Sequence, residues 1–565
     1  VKSNVVELAA DVLVIGAGAA GMSAALAAGE RGASVLIADR SLIGRSGATI
    51  MAQMTVAVAL GEETPDAVEH HYADTLAAGR GLCDASLAAL LCAQGPTEIR
   101  RLDEWKVGWA RHEDGRIRGT QAPGHDRPRC VYVDFLNTGP ALAKTLRTRV
   151  LRQENVTRVG DLCITDLVVK DGAVTGAVGF SVADGRPVTI RAASVVIATG
   201  GITRLYARNS ASANMGGDGH ALALRAGAEL MDMEFVQFFP IGNLAPRLVG
   251  MDPIMWDPFR YKLGGRLLNA EMREFVNDYG NAEGERYNVT RDRATHAILS
   301  EVKAGRGSPA GGAYLSFQHI PEDQLRAAFG PVIDKLAENG IDLTKMPVEV
   351  APIAHYHMGG VRVNDTLETR VANLFVAGEA VAGANGANRL SGNAITEALV
   401  FGRVAGEAAA KRRLAGASAS LAAAAHLALL EAGSPDASNN LAGIIDRLQK
   451  IMAVKVGPFR TKAGLEEAIA EIAALRTEIG ALPPGEPGPY NMARLDWFDL
   501  RTMLLVAETV ARTALSRQES RGAHQREDFP TMQDEWTIHQ TVALDGERLV
   551  IGRVPVQVEH VREVA

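Results

Sequence analysis

The chain has 565 residues, 47% apolar and 22% charged, with a formal charge of −7 from 59 basic and 66 acidic side chains. These values exclude general disorder, and the acidic balance gives nucleic acid and anionic membranes no global attraction. At roughly 150 residues per domain the length predicts three or four folding units.

Residues 11–15, DVLVI, are a short β-branched run of the kind buried in a parallel sheet. Gly16-Ala17-Gly18-Ala19-Ala20-Gly21 follows at once, then an Ala-rich helix to about Gly32 and a second strand, 34–38, ending at Asp39. This is a βαβ unit with a glycine fingerprint in its first turn and an acid 23 residues after Gly16. Gly16 permits the tight turn, Gly18 admits a pyrophosphate to the backbone, and Gly21 lets helix and strand pack closely. The helix N-terminus offers N–H groups to the phosphates, and Asp39 is placed to accept from adenosine ribose hydroxyls. Two later runs, VVIATGG at 195–201 and LFVAGE at 374–379, are expected to be further buried strands around one long cofactor. Glu379 is placed to accept from a second ribose or ribityl hydroxyl. Residues 235–350 lack βαβ rhythm and contain a polar, loop-like tract at 277–293, which predicts an inserted capping domain.

From about residue 416 the composition shifts. Residues 417–432, 462–480 and 494–516 carry helical spacing, clearest in LEEAIAEIAALRTEI. The segment 483–489, PPGEPGP, is a helix breaker, and residues 537–558 alternate enough for short strands. Domain boundaries follow: 1–235 and 351–415 as two parts of a cofactor-binding domain, 236–350 as the cap, and 416–565 as a helical domain with tail strands. Cys83, Cys92, Cys130 and Cys163 form no CxxC pair and no zinc or iron–sulfur pattern. The expectation is no metal site and a reduced, cytoplasmic compartment. No apolar run reaches about 18 residues, and the opening VKSNVVELAA lacks a basic region before an apolar one. Neither a membrane span nor a signal peptide is expected.

The motifs GAGAAG (16–21), GRSGAT (44–49), ATGG (198–201), GGDGHALALRAGA (216–228), MEFVQFFPIG (233–242), RDRATHAI (291–298), HYHMGG (355–360), GANRLSGNAITEALVFGR (386–403) and ESRGAHQREDFP (519–530) occur in this order. In them the chain resembles the flavoprotein subunits of succinate dehydrogenase and fumarate reductase, with L-aspartate oxidase and adenylylsulfate reductase flavoproteins as cousins. The resemblance implies an α/β fold: an FAD-binding, Rossmann-like domain of the glutathione-reductase type, an inserted capping domain and a C-terminal helical domain. It implies FAD, hydride exchange between flavin N5 and a carbon–carbon bond beside a carboxylate, and cofactor contacts at Ala20, Ser46, Gly47, Thr199, Gly200, Asp218, Asn393, Ala394 and Ile395. It also implies an iron–sulfur partner subunit, for which the helical domain and residues 519–530 are the expected docking region, and through that partner a place at a membrane face.

The chemistry of the residues agrees. Polarising an alkene through its carboxylate needs a cationic clamp, a hydride source and a proton donor. Arg389, in a Gly/Ala/Asn-rich loop, is a fork-shaped donor for a planar carboxylate. His355 is expected to share that carboxylate, and His357 is a further pocket candidate whose alternative is plain packing or exposure. Arg291 matches the arginine that delivers the proton in the family; a guanidinium is a poor acid in water, so the role needs a relay. The bland alternative for Arg291 is pairing with Asp292 or Glu301.

Three departures limit the resemblance. Arg45-Ser46-Gly47-Ala48-Thr49 has no His where membrane-bound relatives tether FAD, so the expected cofactor is non-covalent FAD. Gln237-Phe238-Phe239-Pro240 has Phe239 where the family places a His for a second carboxylate. In Trp256-Asp257-Pro258-Phe259-Arg260-Tyr261 the relay Glu falls on Pro258 and Asp257 takes the place of a Thr, leaving Asp252 or Asp257 as substitutes. Phe239, Trp256, Met251, Met255 and Phe259 then predict an apolar far side to the pocket. The favoured reading is an FAD-dependent oxidoreductase acting on a carboxylic acid with one carboxylate. The alternatives are an oxidase resembling L-aspartate oxidase and an electron-transfer subunit inert without its partner.

Overall fold

The computed structural model describes residues 5–52, 55–134, 137–246, 264–279, 291–414, 422–434 and 440–557, with the backbone alone at 291, 292, 328, 329 and 331. The chain forms two compact units. One comprises Val1–Ala207, Ala211–Val236 and Tyr356–Ala565; the other comprises Arg208–Ser210 and Gln237–His355.

The first unit is built on a seven-stranded sheet. Val6–Ile15 lies between Val35–Ala38 and Pro187–Ile197, parallel to both, and Val156–Val159 extends the sheet beyond Val35–Ala38. The opening strand begins at Val6, earlier than the apolar run predicts. Its first residues are partly exposed, and burial becomes continuous only from Val12. Pro187–Ile197 divides its other edge. Its early residues pair antiparallel with Ala173–Ser181 in a meander completed by Leu162–Lys170, and Val195–Ile197 pair in parallel with Leu374–Val376. The registers Ile15↔Ala38, Ile15↔Ile197 and Ile197↔Val376 bring four parallel strands to an end at one level. Ligands of open α/β sheets bind at such a carboxyl edge. The helices Ala19–Glu30 and Asn393–Ala409 start from that edge and pack against each other.

The C-terminal part belongs to the same unit. Helices Leu441–Lys455, Lys462–Ile479 and Met492–Ser516 pack together. Each has a buried apolar stripe, and each begins at an Asn or Thr whose side chain accepts a backbone N–H, an N-cap that satisfies one orphan donor. The tail strands Ile538–Asp545 and Arg548–Pro555 form a hairpin. Its inner strand pairs with Leu230–Met231, which pairs in turn with Gly360–Val361. Charges lock this join. Arg517 is fully buried, donates to Glu234 (2.6 Å), Glu519 (2.9 Å) and the Trp536 carbonyl (2.9 Å), and lies over the Phe235 ring. Arg40, next to Asp39, pairs with Asp499 of the long helix at 2.7 Å.

The second unit is a four-stranded sheet in the order Val236–Ala245, Val348–His357, Ala313–Ser316, Arg266–Leu268, with helices Arg291–Lys303 and Glu322–Ala337. The chain enters and leaves it along two of its own strands, at 236/237 and 355/356. Within the expected polar tract 277–293, Val276–Tyr279 form a 3-10 turn and a helix begins at 291; residues 280–290 lie outside the described residues. All four cysteines are free and buried, and burial pushes their thiols up to about 12. Among the described residues no helix is long and apolar enough to cross a membrane.

Candidate active site

The glycine turn fits a pyrophosphate. Gly16 has φ +102°, and a Cβ there would lie 2.4 Å from the Ala198 carbonyl oxygen; one on Gly21 would lie 1.9 Å from the Gly16 oxygen. Strand, turn and helix therefore close on each other at contact distance, which only glycine permits. The helix opens at Gly18 without a side-chain cap of its own, and such an N-terminus presents first-turn N–H groups, other than that of Ala19, to an anion. Thr49 Oγ1 accepts from Ala19 N–H (3.0 Å), a support the sequence did not reveal.

Asp39 is nearly buried at the end of its strand. Its Oδ2 accepts from Ala17 N–H, and its Oδ1 accepts from the backbone N–H and hydroxyl of Ser41 and, at 3.4 Å, from Ser46. These bonds fix the carboxylate beside the turn. Gly47 N–H donates to Ser212 Oγ (2.9 Å). Thr199 Oγ1 accepts from Gly219 N–H (3.0 Å). Asp218, first residue of its helix, pairs with Arg40 at 3.5 Å. Burial raises its pKa and Arg40 opposes the rise.

Glu379 follows the strand Leu374–Val376 and accepts from His357 N–H (3.1 Å). Burial pushes its carboxyl up to about 8. A carboxyl held near its neutral form at the sheet edge suits a sugar or ribityl hydroxyl, so this residue set fits FAD. Asn393 departs from the expectation. Its side chain turns inward, Oδ1 to His71 Nε2 (2.8 Å) and Nδ2 to Thr75 Oγ1 (3.1 Å). Its helix, which includes Ala394 and Ile395 in the first turn, opens without a side-chain cap. Burial lowers the His71 imidazole to about 4, keeping it neutral.

Of the substrate candidates, the first unit holds Arg389 and His357. The Arg389 guanidinium is buried, lies 4.4 Å from the Tyr356 ring centre and donates to the Leu390 carbonyl (3.2 Å). Two acids act on it. Burial pushes Glu379 up to about 8 and Glu397 to about 7, so neither is firmly ionised at neutral pH. The sequence did not single out Tyr356 or Glu397, because a Tyr and a Glu within helix and strand patterns read as ordinary. His357 is fully buried, its Nε2 meets the Met233 carbonyl (3.1 Å), and its ring packs on His220. Burial lowers it to about 4. The structure gives it a neutral packing role in place of the expected pocket role.

The second unit holds His355 and Phe239. Ser210 Oγ meets His355 Nδ1 at 2.8 Å, and Ser210 N–H donates to the Ala354 carbonyl, a short backbone bridge that orients the imidazole. Phe239 is buried edge-on to His355, ring centres 5.8 Å apart. Trp256, Asp257 and the rest of the segment 247–263, together with the Arg291 side chain, lie outside the described residues. Glu301, one alternative partner for Arg291, accepts from Arg306, Tyr279 and Asn269.

Of the expected docking segment, Glu519, Arg521, His524 and Arg526 are buried and bonded within the unit, Gly522, Ala523, Gln525 and Phe529 are partly exposed, and Glu527, Asp528 and Pro530 are exposed.

The sequence profile of the FAD binding domain family matches residues 11–395, and that of the fumarate reductase flavoprotein C-terminus matches 445–564. The chain is 36% identical to a subunit of the fumarate reductase (CoM/CoB) of Methanothermobacter marburgensis, over 93% of this chain and 95% of that one. It is 33% identical to the fumarate reductase flavoprotein subunit of Escherichia coli strain K12, over 92% and 88%. A structure of a variant E. coli quinol fumarate reductase superposes with a TM-score of 0.90 at 31% identity, covering 98% of each chain. The fingerprint, the cofactor cradle and these matches together establish that the chain belongs to the FAD-dependent fumarate reductase and succinate dehydrogenase flavoprotein family, oxidoreductases that act on CH–CH groups.

Proposed function

We propose that the protein exchanges hydride with the carbon–carbon bond of an enoic acid that carries a single carboxylate. The observation that carries this reading is the buried Arg389 guanidinium in its Gly/Ala/Asn-rich loop, held 4.4 Å from the Tyr356 ring centre, a fork-shaped cation suited to a carboxylate. A charged hydrogen bond in such surroundings contributes about 1.5–3 kcal/mol.

Bound FAD supplies the hydride exchange itself. In this reading Arg389 draws charge into the substrate carboxylate, and His355, oriented by Ser210, is the second donor. Arg291 is the proposed proton donor. Phe239 has no donor for a second carboxylate, and burying that charge unpaired costs several kcal/mol. The second unit, residues 208–210 and 237–355, acts as the capping domain. No His occupies 45–49, so FAD is held without a covalent bond there; acid precipitation should release all flavin to the supernatant.

The relatives are named as subunits. We infer that this chain too receives electrons from an iron–sulfur partner, which docks on the C-terminal helices and residues 527–530. The decisive experiment compares kcat/KM for fumarate, crotonate and cinnamate with reduced methyl viologen as donor. Crotonate or cinnamate should exceed fumarate by about tenfold or more, and Arg389→Ala should be inactive. A clear preference for fumarate refutes the single-carboxylate reading.

A further inference from the structure

Glu397 sits in the second turn of the helix Asn393–Ala409 and is buried at 1% exposure. Its Oε2 accepts two short hydrogen bonds, from the Tyr356 hydroxyl and from Asn385 Nδ2, both 2.6 Å. Its Oε1 and the Asn385 Oδ1 have no hydrogen-bond partner among the described residues. Tyr356 belongs to the strand Val348–His357, and Asn385 to the loop that carries Arg389. One carboxyl thus ties together a strand, a helix and the arginine loop. The ring it fixes is the surface on which the guanidinium rests.

A buried oxygen without a partner costs stability, so packing alone gives no reason for an acid at 397. An arginine side chain has four rotatable bonds, and a fork that must meet a carboxylate edge-on loses its value if its plane wanders. Stacking on an aromatic face defines that plane. The ring defines it only if its own tilt is fixed, and the carboxyl of Glu397, pushed up to about 7 and so still partly ionised at neutral pH, fixes a phenol more firmly than an amide would.

We propose that Glu397, acting through Tyr356 and Asn385, is the positioning residue of the Arg389 clamp. This rests on the reading of Arg389 as the carboxylate clamp. The test uses the FAD-loaded full chain and whichever of fumarate, crotonate or cinnamate the wild type reduces best with reduced methyl viologen. Glu397→Gln and Tyr356→Phe, each matched to wild type in FAD content and melting temperature, should lower kcat/KM at least tenfold. The loss should appear in kcat as well as in KM, because the clamp holds the carboxylate in the bound substrate and takes up more of its charge in the transition state. The double variant should be no worse than threefold below the weaker single, since both changes release the same ring.

Arg389→Ala separates the two ideas. If it is inactive while both single variants stay within twofold of wild type, the clamp stands and the positioning role is overturned. If Arg389→Ala keeps its activity, the clamp falls and the positioning role with it. If both single variants lose FAD or fail to fold, Glu397 is a structural residue and the proposal is overturned.

Discussion

Replacing Phe239 by His tests the far end of the substrate most directly. Phe239 is 1% exposed and stands edge-on to His355 at 5.8 Å between ring centres. An imidazole reaches no farther than the phenyl ring it replaces, so the change introduces a donor without adding volume. A charged hydrogen bond to a second carboxylate is worth about 1.5–3 kcal/mol. A monocarboxylate gains nothing from it and loses contact worth about 0.8 kcal/mol per buried methyl or methylene. The selectivity for fumarate over crotonate should therefore rise by about 2.3–3.8 kcal/mol, or about 50- to 600-fold. Burying an imidazole also costs the fold about 1–3 kcal/mol, but that cost cancels in the ratio of kcat/KM for two substrates on one enzyme. The assay is steady-state reduction of fumarate and of crotonate by wild type and by Phe239→His, each loaded with FAD. A change in that ratio below threefold would refute the argument that Phe239 excludes a second carboxylate.

Gly16→Ala adds strain of about 1–2 kcal/mol at a positive φ and an overlap with the Ala198 oxygen worth about 1–3 kcal/mol. Relieving that strain displaces the turn that faces the pyrophosphate, so FAD affinity by fluorescence titration should fall, and the FAD-free chain should melt at a lower temperature than wild type. Arg517→Met leaves Glu234 buried without its cation and Glu519 with Arg521 alone, which costs about 3–5 kcal/mol. At about 2.1 cal/mol/K per residue, 565 residues convert this to a loss of roughly 3–4 °C in cooperative melting, and adding Glu234→Gln should recover part of it. Burial lowers the His539 pKa, but the charge and hydrogen bond of Asp232, at 2.5 Å, together raise it above the usual 6.5. Protonated His539 therefore stabilises the fold fully below about pH 6.5, and that contribution is lost as pH rises through the raised value. The melting-temperature gap between wild type and His539→Gln should be widest in mild acid and shrink in alkali; a gap independent of pH would contradict it.

Local pattern decided the cofactor half of this protein. A β-branched strand, a glycine turn, a helix and an acid lie within 29 residues of chain, from Asp11 to Asp39, so spacing alone fixes their mutual placement once strand and helix form. The helices from 462 and 492 onward were legible for the same reason, since a 3.6-residue period is a local property. Contacts between segments distant in sequence left no such trace. The meander from Leu162 to Ile197 and the pairing of Leu230–Met231 with the tail hairpin depend on hydrogen bonds that no spacing encodes. Glu519, Arg521 and Arg526 read as a surface motif, yet tertiary packing supplied them with buried partners. Asn393, expected to face the cofactor, found His71 and Thr75 more than 300 residues earlier. Sequence chemistry and the family motifs singled out Arg389 and His355 as candidates, because a guanidinium and an imidazole are side chains that can bind a carboxylate. What surrounds each was decided only when the chain folded, since a tyrosine, a glutamate or a serine acquires its role from the groups packed against it: Tyr356 and Glu397 beside the arginine, Ser210 beside the histidine.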